Sequence, residues 1–294
     1  MATIGLVVKP GVERARDLGV AIIKWARDLG HEVVLDVASL PTLSGPNLAS
    51  GVSAFPHFEL VKRADPIVTL GGDGTLIGLA RHVLGKSPTI LGVNFGNLGF
   101  LTETTPSEVF EALSKTLSGE AQVAERRMLK ATLFRGGKEI FSAQALNDAV
   151  IQKEARDRLL DLDISVSGEP VMRLRADGLI CSTPTGSTAY SLAAGGSIVH
   201  PAVEVMLVTP ICAHSLSARP LILRLSDKLL ATIPEYDGKV VLTVDGQVSM
   251  PLQTGDSIEV KESEHRIKLV LSGSRSYFGI LRTKLNWGIA NKGE

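Results

Sequence analysis

Ile67-Val68-Thr69-Leu70-Gly71-Gly72-Asp73-Gly74-Thr75-Leu76 carries the sequence from a short apolar run through a glycine-rich turn into a helical pattern. Residues 66–70 read as a strand and residues 76–84 as a helix, so the glycines fall where a strand hands over to a helix. Backbone N–H groups are free at such a junction, and the helix dipole favours negative charge there. The flanking sequence repeats the alternation. Residues 4–8 read as a strand, residues 12–29 as a helix stopped by Gly30, residues 31–37 and 89–93 as further strands, and residues 106–117 as a helix. Short β-branched runs separated by helices predict a parallel sheet with crossover helices, a Rossmann-like α/β domain. Residues 41–58, rich in Pro, Gly, Ser and Asn, read as an irregular surface connection.

Beyond about Arg126 the texture changes to short alternating runs such as 130–134, 161–166, 228–233 and 239–244, punctuated by Gly, Pro and Asp. The expectation is an α/β domain over residues 1–125, an all-β, sandwich-like second domain over 126–276, and a tail over 277–294 packing back on the first. A chain of 294 residues with 44% hydrophobic and 21% charged residues has the balance of a globular protein. Lys plus Arg equals Asp plus Glu at 31 each, so no overall field draws it to nucleic acid or to an anionic membrane. The amino terminus has no signal-like pattern and no run is long enough to span a bilayer, which makes the cytoplasm the expected compartment. Cys181 and Cys212 lie far apart in apolar surroundings and read as buried free thiols.

Gly71, Gly72, Gly74 and Thr75 form a natural phosphate cradle. Asp73 is unusual there, because a carboxylate repels phosphate unless it holds a cation or takes a proton from the reacting hydroxyl; a tight Asp-Gly turn is the plainer reading. A formal Walker-type match from Ala80 to Gly85-Lys86-Ser87 fails, since a helix precedes it and Pro88 stops one from following. Residues 92–101 form a second glycine-rich turn at a strand end, the kind of place that lines ligand crevices in open α/β sheets. Asn147-Asp148 sits between apolar residues; an amide beside a carboxylate can grip two ribose hydroxyls or a base edge, or make a turn. From Arg175-Ala176-Asp177-Gly178 a buried strand runs into Ser182-Thr183-Pro184-Thr185-Gly186-Ser187-Thr188-Ala189-Tyr190. Small residues after it permit close approach, Tyr190 offers a flat face for stacking, and the competing reading is a polar loop that caps a helix.

Taken in this order and spacing, residues 71–75, Asn147-Asp148 and residues 175–193 resemble the NAD kinase family over nearly the whole chain. The glycine loop alone is shared with diacylglycerol, sphingosine and phosphofructo-kinases; the block from Asp177-Gly178 to Thr188-Ala189-Tyr190 is the specific part. The resemblance implies an ATP-dependent kinase, a phosphotransferase with an alcohol group as acceptor, that converts NAD to NADP. It implies Mg²⁺ entering with ATP, and a homotetramer or homodimer as the assembly. By motif, Asp73 would accept the proton of the ribose 2′-hydroxyl, with Gly74 beside the nucleotide, and Asn147 and Asp148 would bind the adenosine. Many members carry Glu where this chain has Asp148, which shortens the reach of the carboxylate. Arg175 and Asp177 would meet the dinucleotide, Asp177 at the nicotinamide amide, while Thr188, Ala189, Tyr190, Ser191, Leu192 and Ala193 would line the adenosine pocket. Arg158 and Gln247 complete the set. Phosphoryl transfer relies mostly on alignment and charge neutralisation, so Asp73 is expected to orient the hydroxyl more than it abstracts the proton. The rival readings are a lipid kinase sharing the glycine loop and a non-catalytic dinucleotide sensor; an intact Asp73 argues against the second.

Overall fold

Parallel strands covered on both faces need unbroken apolar runs, and the first unit is built on such runs. The computed structural model describes residues 1–43, 51–85, 87–96, 99–154, 158–215 and 217–287. Lys86, Asn97, Leu98, residues 44–50 of the Pro/Gly-rich connection and residues 288–294 of the tail lie outside them. The chain divides into two units, Met1–Glu125 with the stretch from Ile267 onward, and Arg126–Arg266.

The first unit contains β1 (Thr3–Val8), α1 (Glu13–Asp28), β2 (Glu32–Asp36), α2 (Leu40–Leu43), β3 (Ser53–Phe55), α3 (His57–Arg63), β4 (Ile67–Leu70), α4 (Asp73–Ala80), β5 (Thr89–Val93) and α5 (Val109–Ser118). Its sheet runs β5-β4-β1-β2-β3, all parallel. All four residues of β4 are buried. The inner stripe of α1, namely Ala15, Ile22, Ile23 and Ala26, joins Ile4, Leu6 and Leu35 of the sheet in one core. Gly30 ends α1 in the left-handed region, its N–H bonded to Arg27 O and the His31 N–H to Ala26 O. Two boundaries differ from the sequence reading. The region read as an irregular connection holds a helical turn and a short parallel strand, α2 and β3, so β4 is the fourth strand of the unit. Helix α4 starts at Asp73, inside the glycine loop, and ends at Ala80, where the N–H groups of His82 and Val83 bond only three residues back. The stretch after Gly85 leads into strand β5 and not into a helix, as the failed Walker match required.

The second unit contains β6 (Val123–Arg135) from Arg126 onward, β7 (Lys138–Ala145), β8 (Asp148–Lys153), β9 (Leu160–Val166), β10 (Glu169–Ala176), β11 (Gly178–Ser182), α6 (Tyr190–Ala193), β12 (Val205–Ile211), β13 (Leu221–Arg224), β14 (Leu229–Thr232), β15 (Val240–Val244), β16 (Val248–Leu252) and the first part of β17 (Ser257–Val270). One antiparallel sheet has the order β13-β12-β11-β8-β15-β16. The strands β10-β9-β14-β17 form the other layer, with β6 on β17 and β7 on β6. Leu162, Ile164, Leu229 and Ala231 of this layer share a core with Ala149, Ile151, Cys181, Val208 and Leu242 of the first, which makes the unit a sandwich. Both thiols are free, but only Cys181 is buried: Cys212 lies just past β12 with φ 47° and is exposed, a correction to the expectation of two buried thiols.

Beyond Ile267 the chain belongs to the first unit again. Lys268 and Leu269 of β17 pair in parallel with Thr89 and Ile90 of β5, and α7 (Tyr277–Leu285) buries Ile280 and Leu281. No helix among the described residues is long and apolar enough to cross a membrane.

Candidate active site

In the first unit β4 and β5 are adjacent and parallel, so the two glycine-rich turns that follow them lie side by side. The Gly71 N–H bonds Val93 O at 3.0 Å, tying the first turn to the end of β5. A Cβ on Gly71 would collide with the Thr75 side chain, whereas one on Gly72 or Gly74 would meet nothing within 4 Å. The Asp73 side chain crosses to the second turn. Its Oδ1 accepts hydrogen bonds from the N–H groups of Leu101 (3.2 Å) and Thr102 (3.0 Å) and from Thr102 Oγ1 (2.8 Å), and its Oδ2 from Phe100 N–H (2.9 Å). An ionised carboxylate has about four acceptor positions, and this distribution leaves Oδ2 the freer oxygen. Gly99 makes the contact feasible, because a Cβ there would fall on the Asp73 carboxylate. The turn is held further by Asn94 Nδ2, which donates to Thr102 Oγ1 at 3.1 Å.

In the second unit Asn147 and Asp148 occupy the junction between β7 and β8. Asp245 Oδ2 accepts from the Leu146 N–H at 2.8 Å, and Oδ1 from the N–H groups of Asn147 (2.7 Å) and Asp148 (3.0 Å). On the carbonyl side, Asn147 O accepts from Thr183 N–H at 2.9 Å and Ser182 Oγ at 3.0 Å, and Leu146 O from Thr183 Oγ1 at 2.6 Å. Gly186 packs directly on the Asn147 backbone, leaving no room for a side chain. Asp148 is 5% exposed, and burial together with the neighbouring Asp245 charge pushes its pKa up to about 7. Burial and then the Asp148 charge raise the Cys181 thiol to about 12, so it is inert.

The hydroxyl-rich turn is largely self-bonded. Ser187 Oγ donates to Pro184 O at 2.6 Å, and Ser191 Oγ pairs with Thr209 Oγ1 at 2.9 Å. Thr188 is half-buried with Oγ1 3.4 Å from Thr185 O; Ala189 and Leu192 are half-buried, and Ala193 is exposed. Tyr190 is 42% exposed. Asp177 Oδ1 lies 3.3 Å from Lys153 Nζ, an ion pair invisible in sequence. Arg175 and Arg158 have exposed side chains, and the Arg158 carbonyl accepts from Tyr236 Oη at 2.6 Å. Gln247 is exposed in the β15–β16 turn, its N–H bonded to Val244 O. Asp245 was not among the residues singled out from sequence, because its Asp-Gly pair reads as an ordinary hairpin turn. Among the described residues no three His, Cys, Asp or Glu side chains converge to hold a metal ion. A cavity of about 510 Å³ lies beside α5, lined by Glu108, Lys115, Glu120 and Ser272 among others, and contains none of these motif residues.

A parallel α/β unit with a glycine loop at a strand end, joined to an antiparallel sandwich whose strand junction presents an amide and a carboxylate, defines a two-unit class with separate phosphate-loop and β-sandwich parts. The ATP-NAD kinase N-terminal domain model matches residues 4–121, and the ATP-NAD kinase C-terminal domain model matches residues 146–272. The NAD kinase of Geobacter sulfurreducens is 51% identical over 225 residues, covering 76% of this chain and 79% of the relative. That of Geotalea daltonii is 41% identical over 291 residues, covering 98% and 99%. The crystal structure of yeast NADH kinase complexed with NADH has a TM-score of 0.88 at 31% identity, covering 99% of this chain and 89% of that one. The chain belongs to the NAD kinase family.

Proposed function

We propose that this chain transfers the γ-phosphoryl group of ATP to the 2′-hydroxyl of the adenosine ribose of NAD, giving NADP. The observation that carries the reading is the match to relatives over 98% of the chain, which spans the glycine loop, the Asn147-Asp148 junction and the strand-to-turn block of residues 175–193 alike. In this reading the turn of Gly71, Gly72, Gly74 and Thr75, held by the Gly71 N–H on Val93 O and the Thr75 N–H on Gly72 O, receives the ATP phosphates, and Asp73 orients the ribose hydroxyl and accepts its proton through Oδ2. Asn147 and Asp148 grip the adenosine, residues 188–193 line its pocket with Tyr190 against the base, and Arg158 and Gln247 make outer contacts. Arg175 and Asp177 meet the dinucleotide, Asp177 accepting from the nicotinamide carboxamide while Lys153 holds it in place.

Mg²⁺ would enter on the ATP phosphates and supply charge neutralisation there; the Asp73 carboxylate, with Oδ1 taken by three donors and Oδ2 by one, fits an orienting role better than a metal ligand. The proposed assembly is a homotetramer or homodimer, and the proposed compartment the cytoplasm.

The test is formation of NADP from NAD, ATP and Mg²⁺ by the purified protein, read with an NADP-specific dehydrogenase, with NADH assayed in parallel because the yeast relative is named for it. Absence of product with both acceptors would overturn the reading.

A further inference from the structure

We infer that Asp245 is a positioning residue for the dinucleotide: by gathering the backbone N–H groups of Leu146, Asn147 and Asp148, its carboxylate fixes the two side chains that meet the adenosine. The inference rests on the proposed kinase reading and deepens it. Asp245 and Gly246 both have positive φ, 51° and 66°, and the Gln247 N–H closes the turn on Val244 O at 3.0 Å. Such a turn joins β15 to β16 tightly. The Asp245 N–H bonds Asp148 O at 2.9 Å, which sets the side chain over the β7–β8 junction.

The junction then shows a sharp asymmetry. Every backbone N–H of residues 146–148 is bonded to Asp245, and the carbonyls of all three accept from the Ser182-Thr183 segment or from Asp245. The side chains of Asn147 and Asp148 make no hydrogen bond with any described residue, although Asp148 is buried. Buried polar groups are almost always satisfied, so a clamped backbone carrying two unused polar side chains is an arrangement that waits for a ligand. Three converging donors call for a group that only accepts. A carboxylate does so, whereas an asparagine amide would turn an NH₂ toward one of them.

The charge has a second effect. The titratable groups facing Asp148 are Asp245, from the β15–β16 turn, and the Cys181 thiol of β11; burial and, after it, the Asp245 charge raise the Asp148 pKa, and the thiol stays neutral. Removing the Asp245 charge should therefore lower the Asp148 pKa, which a merely structural contact would not do.

The experiment uses the full-length enzyme and compares Asp245→Asn with the parent in KM and kcat for NAD and for ATP, the pH profile of kcat/KM for NAD, and thermal melts. The expected result is a KM for NAD raised by about tenfold or more, a KM for ATP within about twofold, and an acid limb of the profile shifted to lower pH. In an Asn147→Ala background the Asp245→Asn effect should shrink, because the two act through one contact. An unchanged KM for NAD, or effects that simply multiply, would overturn the inference. If Asp245→Asn does not fold, Asp245→Glu, which keeps the charge and displaces it, takes its place with the same expected split; failure of both to fold would make the contact one of stability alone. NADP formation by the parent separates the two failures: without it the kinase reading falls, and with it an unaffected variant rejects only the role of Asp245.

Discussion

The Asp73 carboxylate takes four hydrogen bonds from the turn that follows β5, so its replacement by asparagine removes more than a base. An amide nitrogen cannot accept, and at least one of the donors of residues 100–102 loses its partner at about 1–3 kcal/mol. Asp73→Asn is expected to cut kcat by at least about a hundredfold and also to lower Tm by several degrees. Steady-state kinetics with thermal melts will check this; a variant with parental turnover would sink the assignment. Asp148 gives a prediction of opposite sign for stability. Its folded pKa of about 7 lies above the unfolded value, so the folded state binds the proton more tightly between roughly pH 4 and pH 7. The resulting stability is present at low pH and lost as pH rises through the folded pKa. Asp148→Asn should therefore melt higher than the parent at pH 8, lose most of that advantage by pH 4, and bind NAD more weakly; equal melting at pH 8 would refute the penalty. Asp73 and Asp148 were legible because each sits in a compact motif. Asp245 was not, because its partners are 97–99 residues away and an Asp-Gly hairpin turn looks the same with or without such a duty.

Where α4 begins decides how the glycine loop works. Read from hydrophobic spacing alone, the helix starts at Leu76; in the structure the first turn forms three residues earlier, because Asp73 is anchored by the opposite loop and not by its own helix. Long-range anchoring of this kind leaves no periodic trace, and the short parallel strand β3 escaped for a similar reason: three residues are too few to show a period. The long apolar elements β1, β4, β5 and α1 were plain, since burial of whole strands and of one helix face writes itself into the sequence. The loop yields a paired prediction. Gly71→Ala drives a methyl into Thr75 and should lower Tm and soluble yield, whereas Gly72→Ala adds a methyl to open space in an extended backbone, φ −86° and ψ −172°. Gly72→Ala should keep the stability within about 1 kcal/mol of the parent while raising the KM for ATP, because the open space is where the phosphates are proposed to lie. Melts and ATP titrations of the two variants decide it; an unchanged KM for ATP in Gly72→Ala would remove the phosphate role from this turn.

At the scale of the molecule, the first unit is discontinuous in sequence: it needs residues beyond Ile267 as well as the first 125. No shift of composition marks the return, because it happens inside one strand, β17, and the sequence reading could see only the helical tail that follows. The returning segment is bonded at several points. Leu271 N–H donates to Gln122 O at 2.9 Å and Ser272 N–H to Glu103 Oε2 at 3.0 Å. Arg275 Nη1 donates to Glu103 O at 2.8 Å and to Glu108 Oε2 at 3.0 Å, and that guanidinium holds the Glu108 pKa down to about 2. Val270 adds to the core that contains Leu91, Val93, Val109 and Leu113. A chain ended at Arg266 loses all of these contacts together with one of the two parallel partners of β5, and it should be proteolysed within the first unit under conditions the full chain survives. A fragment of residues 1–125 carries the same deficit and lacks Asn147, Asp148, Asp177 and Thr188 altogether, so it should bind NAD no tighter than millimolar even though it keeps the whole glycine loop. Calorimetry on the fragment, with the full chain measured alongside, is the check. Micromolar binding of NAD by residues 1–125 would show that the adenosine grip has been assigned to the wrong unit, and with it the proposed roles of Asn147 and Asp148.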